Sequence, residues 1–300
     1  MTVLITGATG LIGTKLTADL HAAGHKVHFL TTRDSKLIDN SNHRGFLWNP
    51  SKGELDTNCL EGVETIVHLV GATVSKPWTK AYKQEILDSR IATMKVLADH
   101  LQGEQHQVKY FVSASGISIY PDSLTATYTE DNTEVAPSFL GDVVVKWESA
   151  AEQFADLGMK VAKVRTAVVL DASQGALPQI AKPAKMGVGS ALGSGKQWLS
   201  WIHLDDISGI YMHIIENGLS GVYNGTAPEA ATNLEFTKAV AAQLGKRIIL
   251  PAAPSFVLKL ALGERASLVL EGQRVSAAKI SEAGYQFRFP DLTSALADLL

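Results

Sequence analysis

Thr6 to Gly13, TGATGLIG, follows a short β-branched run, VLIT, and opens a run of helical period from Leu11 to Ala23. Glycines spaced in this way bind phosphate. Gly7 permits a tight turn, Gly10 lets the backbone approach a pyrophosphate, Gly13 allows a helix to pack closely on a strand, and the helix start supplies N–H donors. The expected contacts to a dinucleotide are Gly7, Thr9, Gly10, Leu11, Ile12 and Gly13. After the second β-branched run the chain reads LTTRDSK, where an NAD-selective site would place an acid for the ribose 2′-hydroxyl. A guanidinium matches a 2′-phosphate, so Thr32 and Arg33 point to NADP(H). The alternative is that Arg33 is solvated and Asp34 turns inward to the ribose.

Other reactive side chains are few. His203, in WIHLDD, could exchange a proton near neutral pH, or could simply be a structural histidine at a strand end. His21 and His25 are four apart without a third ligand in view, Asp205 and Asp206 read as helix-capping residues, and no metal site is expected. SASG, Ser113 to Gly116, is not the GxSxG elbow of a serine hydrolase. Trp198 and Trp201, with glycines at 187, 189, 193 and 195, could form an aromatic-walled mobile cover over a substrate; the other reading packs both tryptophans into a lobe interface.

Positioning these residues requires regular elements. Short runs at Val3, Val27, Thr65, Lys109 and Val161 alternate with helical segments at Leu11–Ala23, Thr79–Leu101 and Phe139–Leu157. Such alternation predicts a doubly wound α/β fold of Rossmann type, a parallel sheet with helices on both faces. Residues 1–170 form the expected dinucleotide-binding domain, with 200–225 returning to it, and 171–300 a smaller C-terminal substrate lobe. The small-residue stretch from Ser173 to Trp201 is too long for an ordinary connection and reads as a functional loop or lid.

With 27 Lys+Arg against 30 Asp+Glu the net charge is −3 and no basic block is present. Neither a nucleic acid nor a membrane is an expected partner. The single cysteine, Cys59, fits a reducing cytoplasm. No apolar run approaches the roughly 20 residues of a spanning helix, and the N-terminus lacks a signal peptide's pattern.

These features, with HLVGA at His68–Ala72 and SWIHLDD at Ser200–Asp206, resemble the extended short-chain dehydrogenase/reductase superfamily, whose members include nucleoside-diphosphate-sugar epimerases. Further segments, GSGKQWLSWIHLDD, KWESAAE, RTAVVL, NGTAPEAATNLEF, LEGQRVSAAK and GYQFRFPDL, resemble its epimerase-like branch sometimes labelled cell-division-inhibitor-related. The resemblance runs through essentially the whole chain. It implies that Leu69, Val70 and Gly71 lie over the adenosine side of the cofactor, and that Arg90, where the wider family has asparagine, reaches a phosphate or ribose with Glu85 nearby; the alternative is a helix-surface charge pair. It also implies a substrate-facing Gln273 and Arg274, the latter anchoring an anionic group.

In the wider superfamily a Ser or Thr polarises the substrate oxygen, a Tyr is the acid/base, and a Lys four residues on lowers its pKa. Ser115 matches the first position. The tyrosine is missing: Leu140 and Val144 stand at the pair's positions in one register, Asp142 and Lys146 in another. Tyr120 and His203 are the candidate substitutes. The resemblance therefore implies an NADP(H)-dependent oxidoreductase or epimerase-like enzyme on a small polar carbonyl or sugar-like substrate, or else a non-catalytic NADP(H)-binding sensor that engages a protein partner.

Overall fold

The computed structural model describes residues 1–103 and 105–300. In chain order the framework is β1 (Thr2–Thr6), α1 (Leu11–Ala22), β2 (Lys26–Thr31), β3 (His43–Asn49), β4 (Glu54–Leu55), β5 (Val63–His68), α2 (Lys80–Gly103), β6 (Tyr110–Gly116), α3 (Phe139–Asp156) and β7 (Lys160–Thr166). After these come α4 (Leu177–Lys185), α5 (Leu204–Asn217), β8 (Gly221–Gly225), α6 (Asn233–Gln243) and α7 (Ser255–Leu262).

Eight strands form one sheet in the order β8-β7-β6-β5-β1-β2-β3-β4, parallel except for the β3–β4 edge pair. This is the doubly wound α/β arrangement. The order reverses between β1 and β5, and ligands of open α/β sheets bind in the crevice at such a switch point, beyond the strands' carboxyl ends. Alternation along the central strands feeds both faces. Val3 and Ile5 pack with Leu16 and Leu20 of α1 and Ile210 and Ile214 of α5, whereas Leu4, Ile66 and Phe111 meet Met94 and Leu97 of α2 and Phe154 of α3. Phe111 and Phe154 stack with ring centroids 3.6 Å apart.

The chain returns to the sheet late, because α5 packs beside α1 and β8 pairs with β7. Strands β3, β4 and β8 were not among the expected elements; the edge strands are short or interrupted by polar residues and give little periodic signal. Around Trp201, Phe236, Val240, Phe289 and Leu296 a second core forms from residues after Val168. The Ser173–Trp201 stretch is only partly a loop. It contains α4, whose Leu177, Ala181 and Ala184 are buried at helical spacing, while Pro178 at its start and Pro183 inside it disguise the helix in the sequence.

Asp206 is buried and does not cap α5; it accepts from the backbone N–H groups of Arg288 and Phe289 and from the Tyr285 hydroxyl, clasping the GYQFRF segment. The cap is His203, whose Nδ1 accepts from Asp205 N at 3.0 Å.

Candidate functional site: a dinucleotide crevice with a closed polar wall

At the switch point, the turn after β1 is built for backbone proximity. Gly7 has φ +74°, and a Cβ there would stand 2.8 Å from Val70 N; a Cβ on Gly13 would stand 2.2 Å from Gly7 O. Both clashes are with backbone, so a side chain at either position forces the turn and the strand ends apart. Gly10 serves as N-cap of α1 without a side-chain cap, and the first turn of α1 holds no acid. The first amides of α1 therefore remain available to an anion, with the positive end of the helix dipole behind them. Thr9 and Gly10 are exposed, and Leu11 and Ile12 partly so.

Facing this turn, the segment after β5 is tied to β1: Leu69 N donates to Thr6 O at 3.1 Å, and Val70 N to Thr6 Oγ1 at 3.4 Å. At the end of β2, Thr32 and Arg33 are exposed, and Arg33 makes no ion pair among the described residues. Its backbone is held by Thr31 Oγ1 at 3.2 Å. Asp34 is also exposed, in a short 3₁₀ turn, not folded back toward the crevice by any hydrogen bond of its side chain among the described residues.

Arg90 reaches this region from α2. Its guanidinium lies 4.7 Å from the Trp147 ring centroid and so close to Gly71 that a Cβ there would be 2.9 Å from Arg90 Cζ. Nη1 donates to Ile86 O and Ala72 O, while Nε is buried with no hydrogen-bond partner among the described residues. Burial lowers its pKa to about 10. Glu85 is exposed and makes no ion pair with Arg90, so neither the expected helix-surface pair nor a joint site forms. Beneath Arg90, His68 is wholly buried, its Nε2 3.0 Å from Thr93 Oγ1.

The α3 wall resolves the register question. Val144 is buried, and a Cβ at Gly116 would lie 3.6 Å from its Cγ2, whereas Asp142 and Lys146 are exposed. Val144 thus faces the end of β6, while the Asp142/Lys146 register faces solvent. Glu148, one turn further on, carries the polar contact: Ser115 Oγ donates to its Oε1 at 2.6 Å. Arg165, opposite Ser115 in the sheet register, forks onto the same carboxylate at 2.8 and 2.9 Å. The third Arg165 bond, from Nη1, goes to the Tyr120 hydroxyl at 2.9 Å, which donates to Asn224 Oδ1 at 2.8 Å; Asn224 N in turn donates to Glu130.

Electrostatics in this chain are settled by pairing. Burial raises the Glu148 pKa, but the Arg165 fork and the Ser115 hydroxyl outweigh it and leave a carboxylate below its ordinary range. Tyr120, wholly buried, is pushed up by burial against the opposing pull of Arg165. Its phenol is enclosed, not presented to a ligand. Glu148, Arg165 and Asn224 had no role assigned from the sequence. The available signal was charge inside apolar runs, Lys163 and Arg165 in VAKVRTAVVL and Lys146 and Glu148 in VVVKWE, since unpaired charges are almost never buried.

His203 is not brought near Ser115. It lies in the second core, 3.9 Å from the Phe289 ring, with Nε2 3.3 Å from Asp298 Oδ2 outside hydrogen-bonding alignment, and burial lowers its pKa. Trp201 is likewise buried there, which removes it from any substrate cover. Trp198, by contrast, meets Arg274, whose Cζ is 4.8 Å from the ring centroid, and donates to Leu124 O at 2.9 Å. Gln273 sits beside them, its carbonyl accepting from Ser200 Oγ. The Arg274–Val275 strand pairs with Thr127–Tyr128, and Val275 packs with Tyr120 and Val144, so this group borders the α3 wall.

Among known proteins, residues 3–225 match the family described as NAD dependent epimerase/dehydratase, and residues 253–299 match a domain of unknown function, DUF1731. The human epimerase family protein SDR39U1 is 36% identical over 305 residues, covering 100% of both chains. A solved structure of the human SDR39U1 with NADPH superposes with TM-score 0.88 at 35% identity, covering 100% of this chain and 99% of that one. A Corynebacterium glutamicum nucleoside-diphosphate sugar epimerase gives 0.79 at 30% identity, covering 99% of this chain and 57% of that one.

Proposed function

From the premise that the chain belongs to the NAD-dependent epimerase/dehydratase family, we propose that it binds NADP(H) at the β1–β5 switch point and acts as an oxidoreductase or epimerase-like enzyme on a small polar carbonyl or sugar-like compound. The observation that carries the cofactor assignment is the three-glycine turn pressed against Val70, with an acid-free helix start above it. The exposed Arg33 beside Thr32 favours the 2′-phosphate of NADP(H) over the bare ribose of NAD. The human relative solved with NADPH supports the same choice.

In this reading the amides of Leu11, Ile12 and Gly13, with the Thr9–Gly10 turn around them, hold the pyrophosphate, Leu69, Val70 and Gly71 back the adenosine, and the free Nε edge of Arg90 meets a ribose or phosphate oxygen. When bound, the nicotinamide would supply a hydride to a carbonyl carbon or accept one from the corresponding carbinol carbon. This chain's own residues govern the proton. Tyr120 and His203 are enclosed, Leu140 and Val144 cannot exchange one, and Ser115 gives its hydrogen to Glu148, so water in the cleft is the carrier that remains. Arg274, on the Trp198 ring, is positioned to hold an anionic substrate group.

One observation favours a second reading, a non-catalytic NADP(H)-binding protein that signals cofactor state to a protein partner. The Ser115–Glu148–Arg165–Tyr120–Asn224 chain satisfies its own polar groups and offers no open acid or base. Single-turnover oxidation of protein-bound NADPH, followed by nicotinamide absorbance against a panel of aldehydes, ketones and keto-sugars, separates the two. The enzyme reading expects oxidation by some member, with Ser115→Ala showing through its effect on the rate whether the Ser115 hydroxyl leaves Glu148 for the substrate oxygen. Tight NADPH binding without oxidation by any member selects the sensor.

A further inference from the structure

The net charge of −3 averages over two unlike surfaces. Neither residues 172–204 nor residues 236–263 contain an aspartate or glutamate, although the whole chain has 30. Within them Lys182, Lys185, Lys246, Arg247 and Lys259 are all exposed. The fold brings the two stretches side by side: Ala253 N donates to Ala191 O at 2.8 Å, Gly193 N donates to Ala253 O at 2.9 Å, and Gly189 abuts Ile248.

Apolar side chains carried by and beside these two stretches are unusually bare. Leu260 is 88% exposed, Ile249 82%, Phe256 72% and Met186 69%, and α7 buries none of its residues. Phe256 and Leu260 are four apart and share one side of α7, with Lys259 between them. Scattered exposed hydrophobes need no explanation, but a cluster of protruding ones among lysines and an arginine does, with Glu264 and Glu271 at its α7 border.

We propose that this face, built from the α4 end, the 246–250 segment and α7, docks the protein on an anionic lipid bilayer. Protruding Phe, Leu, Ile and Met side chains suit a fluid apolar phase, which needs no complementary shape, and Lys and Arg stems lie along the boundary with their charges at the headgroups. A second copy is disfavoured by charge, since two such faces would bring like charges together. No helix among the described residues is long and apolar enough to cross a membrane, so the contact is one of lying on the surface. The earlier expectation of no membrane partner rested on net charge, which conceals this segregation. The inference is independent of the cofactor reading.

The test is sedimentation of the full chain with vesicles of phosphatidylcholine alone or with 30% phosphatidylserine, at about 50 and 300 mM salt, bracketing the range over which such attraction is screened. Expected are binding to the phosphatidylserine vesicles only, weakening with salt, and a loss of at least about tenfold in both Phe256→Gln/Leu260→Gln and Lys246→Glu/Arg247→Glu. All four positions are exposed, and unchanged NADPH affinity and thermal midpoint show that the variants remain folded. The proposal is overturned by an absence of vesicle binding at low salt, or by binding that both variants retain. It is equally overturned if Leu260→Gln instead abolishes a concentration-dependent self-association in sedimentation velocity, or if only an acidic protein, and no vesicle, is held by the face.

Discussion

On the β1–α1 side of the crevice the polar groups face outward: backbone amides at an uncapped helix start and an exposed guanidinium at Arg33. On the β6–α3 side they face one another: Ser115 on Glu148, Glu148 on Arg165, Arg165 on Tyr120, and Tyr120 on Asn224. Buried polar groups are costly unless paired, so a wall that satisfies itself gains rigidity and surrenders ligand contacts, whereas a wall left open depends on a ligand to complete it. The contrast explains why the proposed cofactor contacts can be named residue by residue while the proposed substrate is named only by chemical class.

The contrast can be broken most severely at the turn. Gly13→Ala places a methyl against Gly7 O, and we expect NADPH affinity to fall by at least about a hundredfold with a stability loss of about 1–3 kcal/mol. Fluorescence titration with NADPH measures the first, and near-normal binding would mean that the turn is not the phosphate cradle.

Arg165→Met tests the closed wall. It strands the Glu148 carboxylate and should cost about 3–5 kcal/mol in urea denaturation. Adding Glu148→Gln should recover part of that loss, because the uncompensated charge is gone. NADPH affinity of the folded protein should hardly change. If it collapsed with stability intact, the two walls would be one site.

His68, beneath the open side, ties stability to pH. Burial first, and Arg90 second, lower its pKa from 6.5 to about 3. The unfolded chain therefore binds a proton that the folded one refuses. The stabilisation is whole above pH 6.5 and is lost as pH falls toward 3, at up to about 1.4 kcal/mol per unit. Urea midpoints across pH 7 to 4 should show this slope, and His68→Gln should flatten it.

The smallest effect is at Arg33. Arg33→Ala should weaken NADPH by about tenfold and leave NADH almost unchanged, because only the 2′-phosphate is lost as a partner. Equal losses for both cofactors would assign Arg33 to some other contact.

How far each side could be read from the sequence follows from the range of its interactions. TGATGLIG is eight consecutive residues whose strand, turn and helix are neighbours in the chain, so the glycine turn and the doubly wound fold were legible. Arg165 and Tyr120 are separated by 45 positions, and Tyr120 and Asn224 by 104, and no local pattern links them. The choice between the Leu140/Val144 and Asp142/Lys146 registers was open for a related reason. Positions two apart lie on different sides of a helix, and only the packing of α3 on β6 shows which side is inside. His203 looked available because an imidazole can exchange a proton near neutral pH, and Trp201 because glycines precede it in the chain, yet the second core claims both.

By itself, then, the sequence determined what depends on contiguous residues: a parallel α/β sheet, a glycine turn that admits a pyrophosphate, and a missing tyrosine. Tertiary structure alone decided which polar groups stay open and which satisfy each other, and gathered two distant acid-free stretches into one basic, apolar face. Pairing and segregation of charge are properties of distances in space, and those exist only once the chain has closed on itself.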